Sequence, residues 1–456
     1  RPNGALDAVF GERGATSVFP EDRNNFGPRV GVAWEPLGAG RGVVRIGYGL
    51  FYGRLPGATV RSALVNTALA SSSTHVRITP KTITGCPQVA NQGFGYPCAY
   101  LTAPPSAVGT TTSATVFDRR FRLPAVQQGS VAVERSVGAG VVARASYLVN
   151  LDRQLPNSVD MNIAPASAVK TFQIEGGAGV PGVRDGVHDG ETFTLPVYTQ
   201  RIDASYGPVT DVVSNANASY NALVLEARRR SAGGLGFRVS WTWSKAIDFG
   251  QNAGATPRIN GQLDPFDPRY DKGLSRLNYP HKLVVSAVWE PRVGAGRRWL
   301  RAAANGWVVA PLFTERSGRP YSFNIYGGSR LSGGGLSVNG SGGAVYLPTV
   351  GRNTLRLPHA VNLNLRVSRV LRVTEKVRVK GLAEVFNVAN RVNYSGIMQR
   401  AFLVGAASGG VTPLVFQDAA TVAAEGLNVR PFGTFTGAST SLERERRVQL
   451  GLRVEF

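Results

Sequence analysis

Long hydrophobic runs are missing from this sequence: no stretch approaches the roughly 18 consecutive apolar residues that a transmembrane helix needs. Helix formers are scarce, whereas 55 glycines and 27 prolines are spread along the 456 residues. Because both residues disfavour helix interiors, the composition argues against a helical protein. A membrane protein of this composition would have to be a β-barrel, the other architecture that pairs every backbone polar group inside lipid.

Cysteine is equally scarce, with Cys86 and Cys98 in a segment rich in glycine and proline. Two cysteines that bracket a short loop predict a local disulfide in an oxidising compartment, and the alternative is a pair of free thiols. No second cysteine pair or nearby histidine cluster completes a zinc site. The sequence also begins at Arg1 without a methionine or an apolar leader, which we interpret as processing or truncation.

Negative charge is in the minority, because 51 lysines and arginines accompany 29 acidic residues, a formal net charge of +22. Such an excess suits nucleic acid, an anionic membrane surface or an acidic ligand. A nucleic-acid site would interleave aromatic side chains with the basic ones. Here the aromatic residues alternate with the basic ones on the opposite side of each predicted strand, so we expect no nucleic-acid partner.

Catalytic motifs are missing too. No Ser or Cys nucleophile stands in a recognisable pattern, and the four histidines are scattered without a zinc-enzyme spacing. Gly177, Gly179 and Gly182 have the spacing of a nucleotide-binding loop, but no strand is predicted before them and Pro181 opposes the helix that should follow. The sequence therefore predicts no enzyme, no catalytic residue and no cofactor.

Two acidic segments are candidate cation sites. Asp185, His188 and Asp189 form one, for which an ordinary polar loop is the favoured interpretation. The other contains acidic residues that could bind calcium although the EF-hand spacing is missing: Asp264, Asp267 and Asp271. Neither pattern is specific enough to predict a metal.

Strict alternation of apolar and polar residues is the strongest pattern present. In 235–244 one side carries Leu, Phe, Val, Trp and Trp, and the other carries Gly, Arg, Ser, Thr and Ser. The same period recurs in 44–52, 361–368 and 448–456, and it is typical of strands with one apolar and one polar face. Runs of about ten residues exceed the five or six usual in soluble proteins and suffice to cross a tilted path through a bilayer.

About eleven such strands can be placed along the chain: 27–36, 42–53, 125–136, 140–151, 218–231, 234–246, 280–290, 305–317, 359–371, 374–388 and 444–456. Their connections alternate between short and long. Short periplasmic turns and long extracellular loops are characteristic of outer-membrane barrels, whereas a soluble sandwich gives no reason for this rhythm. The sequence thus predicts an all-β, antiparallel transmembrane barrel in a bacterial outer membrane.

Aromatic residues near predicted strand ends support this interpretation. Trp34 and Trp289 occupy equivalent places in two similar segments, VAWEPLGAGR and AVWEPRVGAGR, each just before a short turn. Tyr52 and Trp243 lie near the opposite ends of their strands. We expect these four side chains to form two interfacial girdles, with the core of a soluble sandwich as the alternative.

Basic residues fall into two groups. The first lies on the polar faces of predicted strands and would point into the barrel lumen, where anionic groups or carboxylates such as Glu384 and Glu455 could pair with it: Arg45, Arg144, Arg238, Lys282, Arg366, Arg378, Lys380 and Arg453. The second crowds strand ends, in 228–230 and 444–447, and would meet lipid headgroups, lipopolysaccharide phosphates or water.

Several strand-plus-turn segments resemble TonB-dependent receptors of the Oar-like group. They are NNFGPRVGVAWEP, VVRIGYGLFYGR, LPAVQQGSVAVERSV, SYNALVLEARRRSAGGLGFRVSWTWSKAIDFG, GWVVAPLFTERSGRPYSF, GRNTLRLPHAVNLNLRVSRVLRV, VRVKGLAEVFNVANRVNYSG and VQLGLRVEF. Together these segments extend over nearly the whole chain.

The resemblance implies more than the residues do. Members of that group carry a carboxypeptidase-regulatory-like domain, a plug and a barrel of about twenty-two strands. The chain would then be the C-terminal part of the barrel, with 1–26 in an outer loop and 27–456 forming strands and loops, while the plug and N-terminal domain lie outside it. The resemblance also implies the TonB complex as a partner, through the missing N-terminal region, and recognition of Phe456 by the barrel-assembly machinery.

Three functions are compatible with these expectations. The resemblance favours active, TonB-coupled import of an unknown ligand, which could be a metal chelate, a glycan or a peptide. The alternatives are a structural or adhesive surface protein and a passive porin.

Overall fold

The computed structural model describes most of the chain. The described residues are 9–10, 16–17, 22–36, 38, 41–67, 88–89, 93–94, 112–180, 186–250, 262–292, 294, 298, 303, 305–329, 331, 336–343, 346–374, 377–426, 428–438 and 445–456. Cys86 and Cys98 lie outside these residues, so their pairing stays a prediction. Among the described residues, no helix is both long and apolar enough to cross a membrane.

Eleven strands form one continuous sheet, and all eleven predicted strands are confirmed in position. In chain order they are β1 Arg29–Trp34, β2 Gly42–Tyr52, β3 Ala125–Gly138, β4 Val141–Asp160, β5 Tyr206–Ala232, β6 Leu235–Asp248, β7 His281–Trp289, β8 Trp307–Arg316, β9 Ala360–Arg372, β10 Arg378–Phe386 and β11 Arg447–Glu455. Each strand pairs antiparallel with the next one along the chain. The sheet is therefore an up-and-down meander.

The register between strands puts the apolar residues of all eleven on one face. Val131 of β3, for example, lies opposite Ile46 of β2 and Tyr147 of β4. At the other side of the sheet, Leu365 of β9 lies opposite Val385, which lies opposite Val448. A shift of one residue between any two strands would mix the faces, so the alternation fixes the register.

The apolar face is exposed. Leu450 and Leu452 of β11 are 77% and 74% exposed, and Trp34 of β1 is 63% exposed. A water-soluble protein rarely leaves so large a contiguous apolar surface uncovered, whereas lipid tails solvate it. The sheet therefore has the inside-out polarity of a membrane barrel.

Two strands run much further than the sequence predicted. β4 continues to Asp160 rather than stopping near 151, and β5 begins at Tyr206 rather than near 218. Their added parts pair with each other beyond Gln154, which has a φ of 56°, and across register shifts between Val213 and Ala218. These irregularities, together with Pro156 and Pro208, interrupt the alternation of apolar and polar residues. The sequence pattern therefore underestimated the length of both strands.

Shorter elements lie mostly in the long connections. The helices are α1 Gly57–Val65, α2 Ala419–Ala424 and the 3-10 helix Pro268–Asp271. The short strands are Thr16–Ser17, Gln88–Val89, Gly93–Phe94, Thr112–Asp118, Gly273–Leu274, Pro320–Tyr321, Leu355–Arg356, Tyr394–Ile397 and Phe435–Ala438. Thr112–Asp118 pairs in parallel with the extension of β5.

A second sheet, here called the rim sheet, is built from three of the long connections. In spatial order its strands are Thr192–Val197, Ala168–Glu175, Val411–Phe416, Arg400–Val404 and Asn324–Tyr326. Two of its pairings are parallel and join segments that are distant in the chain. The connections were expected to be long extracellular loops, and the structure adds that strands from three of them pair with one another.

The largest hydrophobic core belongs to this rim, not to the long strands. Phe172, Ile174, Phe323, Ile325 and Phe402 are fully buried within it. Residues of the connection after β6, including Leu263, join the same core. Burial of apolar area stabilises the rim by about 25 cal/mol for each Å² removed from water. The rim is thus a folded unit at the long-connection end of the barrel.

A charged substitution on the apolar face of the long-strand sheet tests whether that face meets lipid. Val239→Arg, on the apolar side of β6, should destabilise the barrel by about 2–4 kcal/mol if that side meets the bilayer midplane. The matched control is Ser240→Arg, one residue along, which faces Glu226 across the strand pair and should cost less than about 1 kcal/mol. Urea unfolding in lipid vesicles measures both, and equal costs would contradict the assignment of the faces.

Candidate functional site

The polar face of the sheet holds all eight basic residues that were predicted to line a lumen. Arg45 lies opposite Ala132, Lys282 lies opposite Thr242, and Arg366 lies opposite Glu384 in the register. Five further members share this face: Arg144, Arg238, Arg378, Lys380 and Arg453. Their role towards a ligand stays a prediction.

Near the short-connection end, carboxylates neutralise part of this charge. The Arg228 guanidinium donates to a Glu134 carboxylate oxygen at 3.0 Å, and Arg238 donates to Glu226 at 3.0 Å. Arg144 lies opposite both glutamates in the register, and its Nε donates to Ser146 Oγ at 2.9 Å. Arg228 had been grouped with the strand-end residues expected to meet headgroups, lipopolysaccharide phosphates or water, and the register places it on the polar face opposite Arg238.

Two further ion pairs lie on the same polar face, in the strands β9 to β11. Arg366 lies 3.6 Å from Glu384, and Arg453 lies 3.1 Å from Glu455. Exposed pairs of this kind contribute about 0–1 kcal/mol each. Their main effect is on the potential of the polar face rather than on its stability.

The four predicted girdle residues lie on the apolar face, since Tyr52 is level with Ala125 and Trp243 is level with Leu223 in the register. Trp34 and Trp289 end β1 and β7 beside short connections and are 63% and 50% exposed. Tyr52 ends β2 beside a long connection. Trp243 is less terminal, because β6 continues to Asp248.

One interfacial aromatic residue was missed. Trp307 begins β8 beside a short connection, and the guanidinium of Arg369 lies 5.0 Å from the centre of its ring. The two residues are opposite each other in the register. Trp307 shares the apolar phase of β8, so the alternation itself could have identified it.

A buried arginine ties the rim to the barrel. Arg352, with 9% of its side chain exposed, donates from Nη2 to Oδ1 of Asp248 at 2.6 Å and to the Asp248 carbonyl oxygen at 2.7 Å. Its Nε donates to the carbonyl oxygen of Asp271 at 2.7 Å. Asp248 ends β6, whereas Arg352 lies in the connection between β8 and β9. One side chain thus joins a barrel strand and two long connections.

Asp271, next to this arginine, has an unusual carboxyl group. It is fully buried and accepts hydrogen bonds from Tyr346 Oη at 3.0 Å and from the Leu263 backbone N–H at 3.1 Å. Burial raises the pKa of Asp271 to about 6, although the two hydrogen bonds and Arg352 oppose the shift. The group is therefore partly protonated in mildly acidic solution.

The three aspartates of the acidic segment around Asp271 have hydrogen-bond partners within the protein. Asp264 accepts from Tyr198 Oη at 3.1 Å, and Asp267 caps the 3-10 helix and pairs with Arg269 at 2.9 Å. The hydrogen bonds from Arg269 lower the pKa of Asp267, whereas the pKa of Asp271 is raised. Across the described part of the chain, no three His, Cys, Asp or Glu side chains are grouped to hold a metal ion.

The other two weak motifs lie partly outside the described residues. Asp189 accepts from the Gly176 backbone N–H at 2.7 Å, while Asp185 lies outside the described residues. A strand, Ala168–Glu175, does precede Gly177, contrary to the sequence prediction. Residues 178–179 form a turn, and residues 181–185, where the helix of a nucleotide-binding loop would begin, are not among the described residues.

A family model described as "Outer membrane beta barrel domain" matches residues 4–449. The chain belongs to this family of outer-membrane β-barrels. The match agrees with the exposed apolar face and the meander of the sheet, and it places the protein in the outer membrane. No curated protein matches the chain.

Several solved structures are similar to parts of this chain. The transporter YddB of Escherichia coli is 9% identical with a TM-score of 0.45, over 93% of this chain and 40% of that one. A mutant of the ferric enterobactin receptor PfeA of Pseudomonas aeruginosa is 10% identical with a TM-score of 0.39, over 81% and 35%. The iron transporter FrpB of Neisseria meningitidis is 10% identical with a TM-score of 0.37, over 80% and 35%. The chain thus spans two fifths or less of their lengths.

The raised pKa of Asp271 makes the rim more stable in mild acid. The carboxyl holds its proton more tightly in the folded rim than at its ordinary pKa of 3.8. Its contribution is therefore complete below about pH 4 and is lost as the pH rises through 6. Hydrogen exchange of the rim, corrected for intrinsic rates, should show an opening free energy about 2 kcal/mol higher at pH 4 than at pH 7.

Asp271→Asn should remove most of this difference, because the side chain can no longer titrate. Asp267→Asn in the same connection is the matched control and should retain it, since the pKa of that exposed carboxyl is lowered. An unchanged pH dependence in Asp271→Asn would exclude Asp271 as its source.

Proposed function

We propose that this chain is the C-terminal part of the barrel of a TonB-dependent receptor of the Oar-like group, which imports a ligand across the outer membrane. The strand-and-turn segments quoted above support the group. The number of strands supports the division, because eleven is half of the about twenty-two strands of the large outer-membrane transporters.

The observation that carries the proposal is the pairing at the two sides of the sheet. Among the described strands, β1 pairs only with β2, and β11 pairs only with β10. Unpaired backbone N–H and C=O groups are not tolerated in lipid. Further barrel strands beside β1 and β11 would satisfy them, and we propose that these strands belong to the same receptor.

The rim fits the capture step of such a receptor. It lies at the end of the barrel that carries the long connections, which is extracellular in this class of protein. Its packed core presents a preformed surface, and preformed surfaces lose less conformational entropy on binding than flexible loops do. We propose that the ligand binds there and passes along the basic polar face. We further propose that the protein catalyses no reaction.

The proposed partners follow from the same assignment. Outer-membrane lipid and lipopolysaccharide would contact the apolar face and the basic strand ends. The TonB complex would act through the N-terminal region of the receptor. The barrel-assembly machinery would read Phe456, which follows β11 and is 99% exposed.

A second candidate function is a surface protein that presents the rim for adhesion or surface organisation. The folded core of the rim favours it, because such a role also needs a stable extracellular unit. The passive porin has no comparable observation in its favour.

Deletion of TonB in the native host distinguishes import from adhesion. Labelled metal chelates, glycans and peptides are tested as ligands. If the receptor imports the one that it binds, uptake of that ligand should fall to background when TonB is deleted, while its binding to whole cells persists. Deletion of an unrelated outer-membrane receptor is the control. Uptake that is unaffected by the loss of TonB would refute the import proposal in favour of passive entry, whereas binding to whole cells without any uptake would favour the adhesive function.

Phe456 provides a separate test of the assembly proposal. Phe456→Ala should reduce the amount of folded, heat-modifiable receptor in the outer membrane several-fold, whereas Phe456→Tyr, which keeps a terminal aromatic ring, should restore it. Equal amounts of folded receptor in both variants and the wild type would remove Phe456 from the assembly signal.

A further inference from the structure

A cavity of about 290 Å³ lies where β8 and β9 meet the long connections. Four segments contribute to it: the connection before β7, the end of β8, the start of β9 and the short strand Tyr394–Ile397. Its lining includes Arg276, Tyr279, Arg316, Gly318, Arg319 and Tyr394. The volume is close to the lower end, about 300 Å³, of the range for ligand pockets.

The charge of this cavity is one-sided. It has three arginines, Arg276, Arg316 and Arg319, and no carboxylate among its described lining residues. Arg316 also lies opposite Lys282 on the polar face, a like-charge pair that is unfavourable by itself. No described carboxylate lies within ion-pair distance of any of these four cations.

The acidic residue of β8, Glu315, does not form an ion pair with the arginines of the cavity. Glu315, on the opposite face of the strand from Arg316, pairs with His359 at 3.0 Å. A further cation adds to the imbalance: Arg356 pairs in register with Pro320 and donates to the Asn278 carbonyl oxygen at 2.8 Å. Burial lowers the pKa of Arg356, as expected for a cation without a nearby carboxylate. By contrast, Arg228 and Arg238 on the same sheet each form an ion pair with a glutamate, Glu134 and Glu226 respectively.

The cavity is also held in shape. The Arg316 guanidinium lies 5.0 Å from the centre of the Tyr279 ring, a cation–π contact that favours one position for its planar set of donors. The Tyr394 ring stacks on Phe435 with centroids 3.8 Å apart. Gly318 packs so closely on the Leu357 carbonyl that a side chain there would overlap it. Hydrogen bonds between Ser317 and His281, 2.8 Å and 3.1 Å long, fix the adjoining end of β8.

We propose that this cavity binds an oxyanion of a small solute, such as a phosphate, sulfate or carboxylate group. Guanidinium groups offer several donors in a plane and match the geometry of such oxyanions. A bound anion would offset the repulsion between Arg316 and Lys282. The inference rests on the proposed function and deepens it, because the occupant would be the anionic part of the ligand that the receptor captures.

Binding of inorganic pyrophosphate to the full-length receptor, purified in detergent, tests the site by calorimetry. Arg276→Gln with Arg319→Gln should raise the dissociation constant by about 10–100-fold, because two charge-assisted contacts are lost. Arg269→Gln with Lys272→Gln removes the same charge from exposed residues in the connection before β7 and should change it less than about 2-fold.

Two results would overturn the proposal. One is the absence of saturable pyrophosphate binding by the wild type, and the other is an equal effect of both double variants, which would indicate diffuse attraction. A parallel titration with purified lipopolysaccharide separates the two sources of phosphate. If the first double variant weakened only lipopolysaccharide binding, the site would serve lipid and the solute proposal would be wrong.

The outcome is independent of the import test. Pyrophosphate binding with the expected variant effect, together with uptake that persists without TonB, would leave the anion site standing and remove import. Uptake that depends on TonB, together with no saturable pyrophosphate binding, would support import and exclude the anion site.

Discussion

The backbone of a strand in lipid has no water with which to form hydrogen bonds, and the rest of this structure depends on that constraint. Each long strand must find a neighbour along its whole length, and the chain meets this need with the simplest order, each strand beside the next. Once the order is fixed, alternation fixes the register, as Leu365, Val385 and Val448 show across three strands. The register then separates a lipid face from a polar face, and the polar face collects basic residues of the strands such as Arg366 and Lys380.

The strands were predictable because this constraint acts residue by residue. In β9 the apolar Val361, Leu363, Leu365 and Val367 follow a period that only a two-faced strand explains. The extensions of β4 and β5 were not predictable, because Gln154 adopts a positive φ and the pairing of the two strands shifts its register between Val213 and Ala218. The missed orientation of Arg228 has a simpler cause: three consecutive arginines conceal which of them faces inwards until the register is known.

The rim could not be predicted for a different reason. Its core brings together Phe172, Phe323 and Phe402, from three connections far apart in the chain, and its parallel pairings have no local sequence signal. The same is true of Arg352, a single arginine in a loop whose three hydrogen bonds appear only in the folded chain. The anion cavity was predictable only in part. The alternation of apolar and polar residues places Lys282 and Arg316 on the polar face, but it contains no information that Arg276 and Arg319, which lie in long connections, fold beside them.

The packed rim limits how the outer surface of this protein can diversify. Outer loops of bacterial surface proteins meet phages and antibodies, and unstructured loops can change freely to escape them. Here substitutions at positions such as Ile174 or Leu347 would unfold the exposed unit as a whole, because both side chains are fully buried. Escape variants should therefore accumulate at exposed tips such as Ile202 or Leu336, on a scaffold whose interior is as constrained as that of a soluble domain.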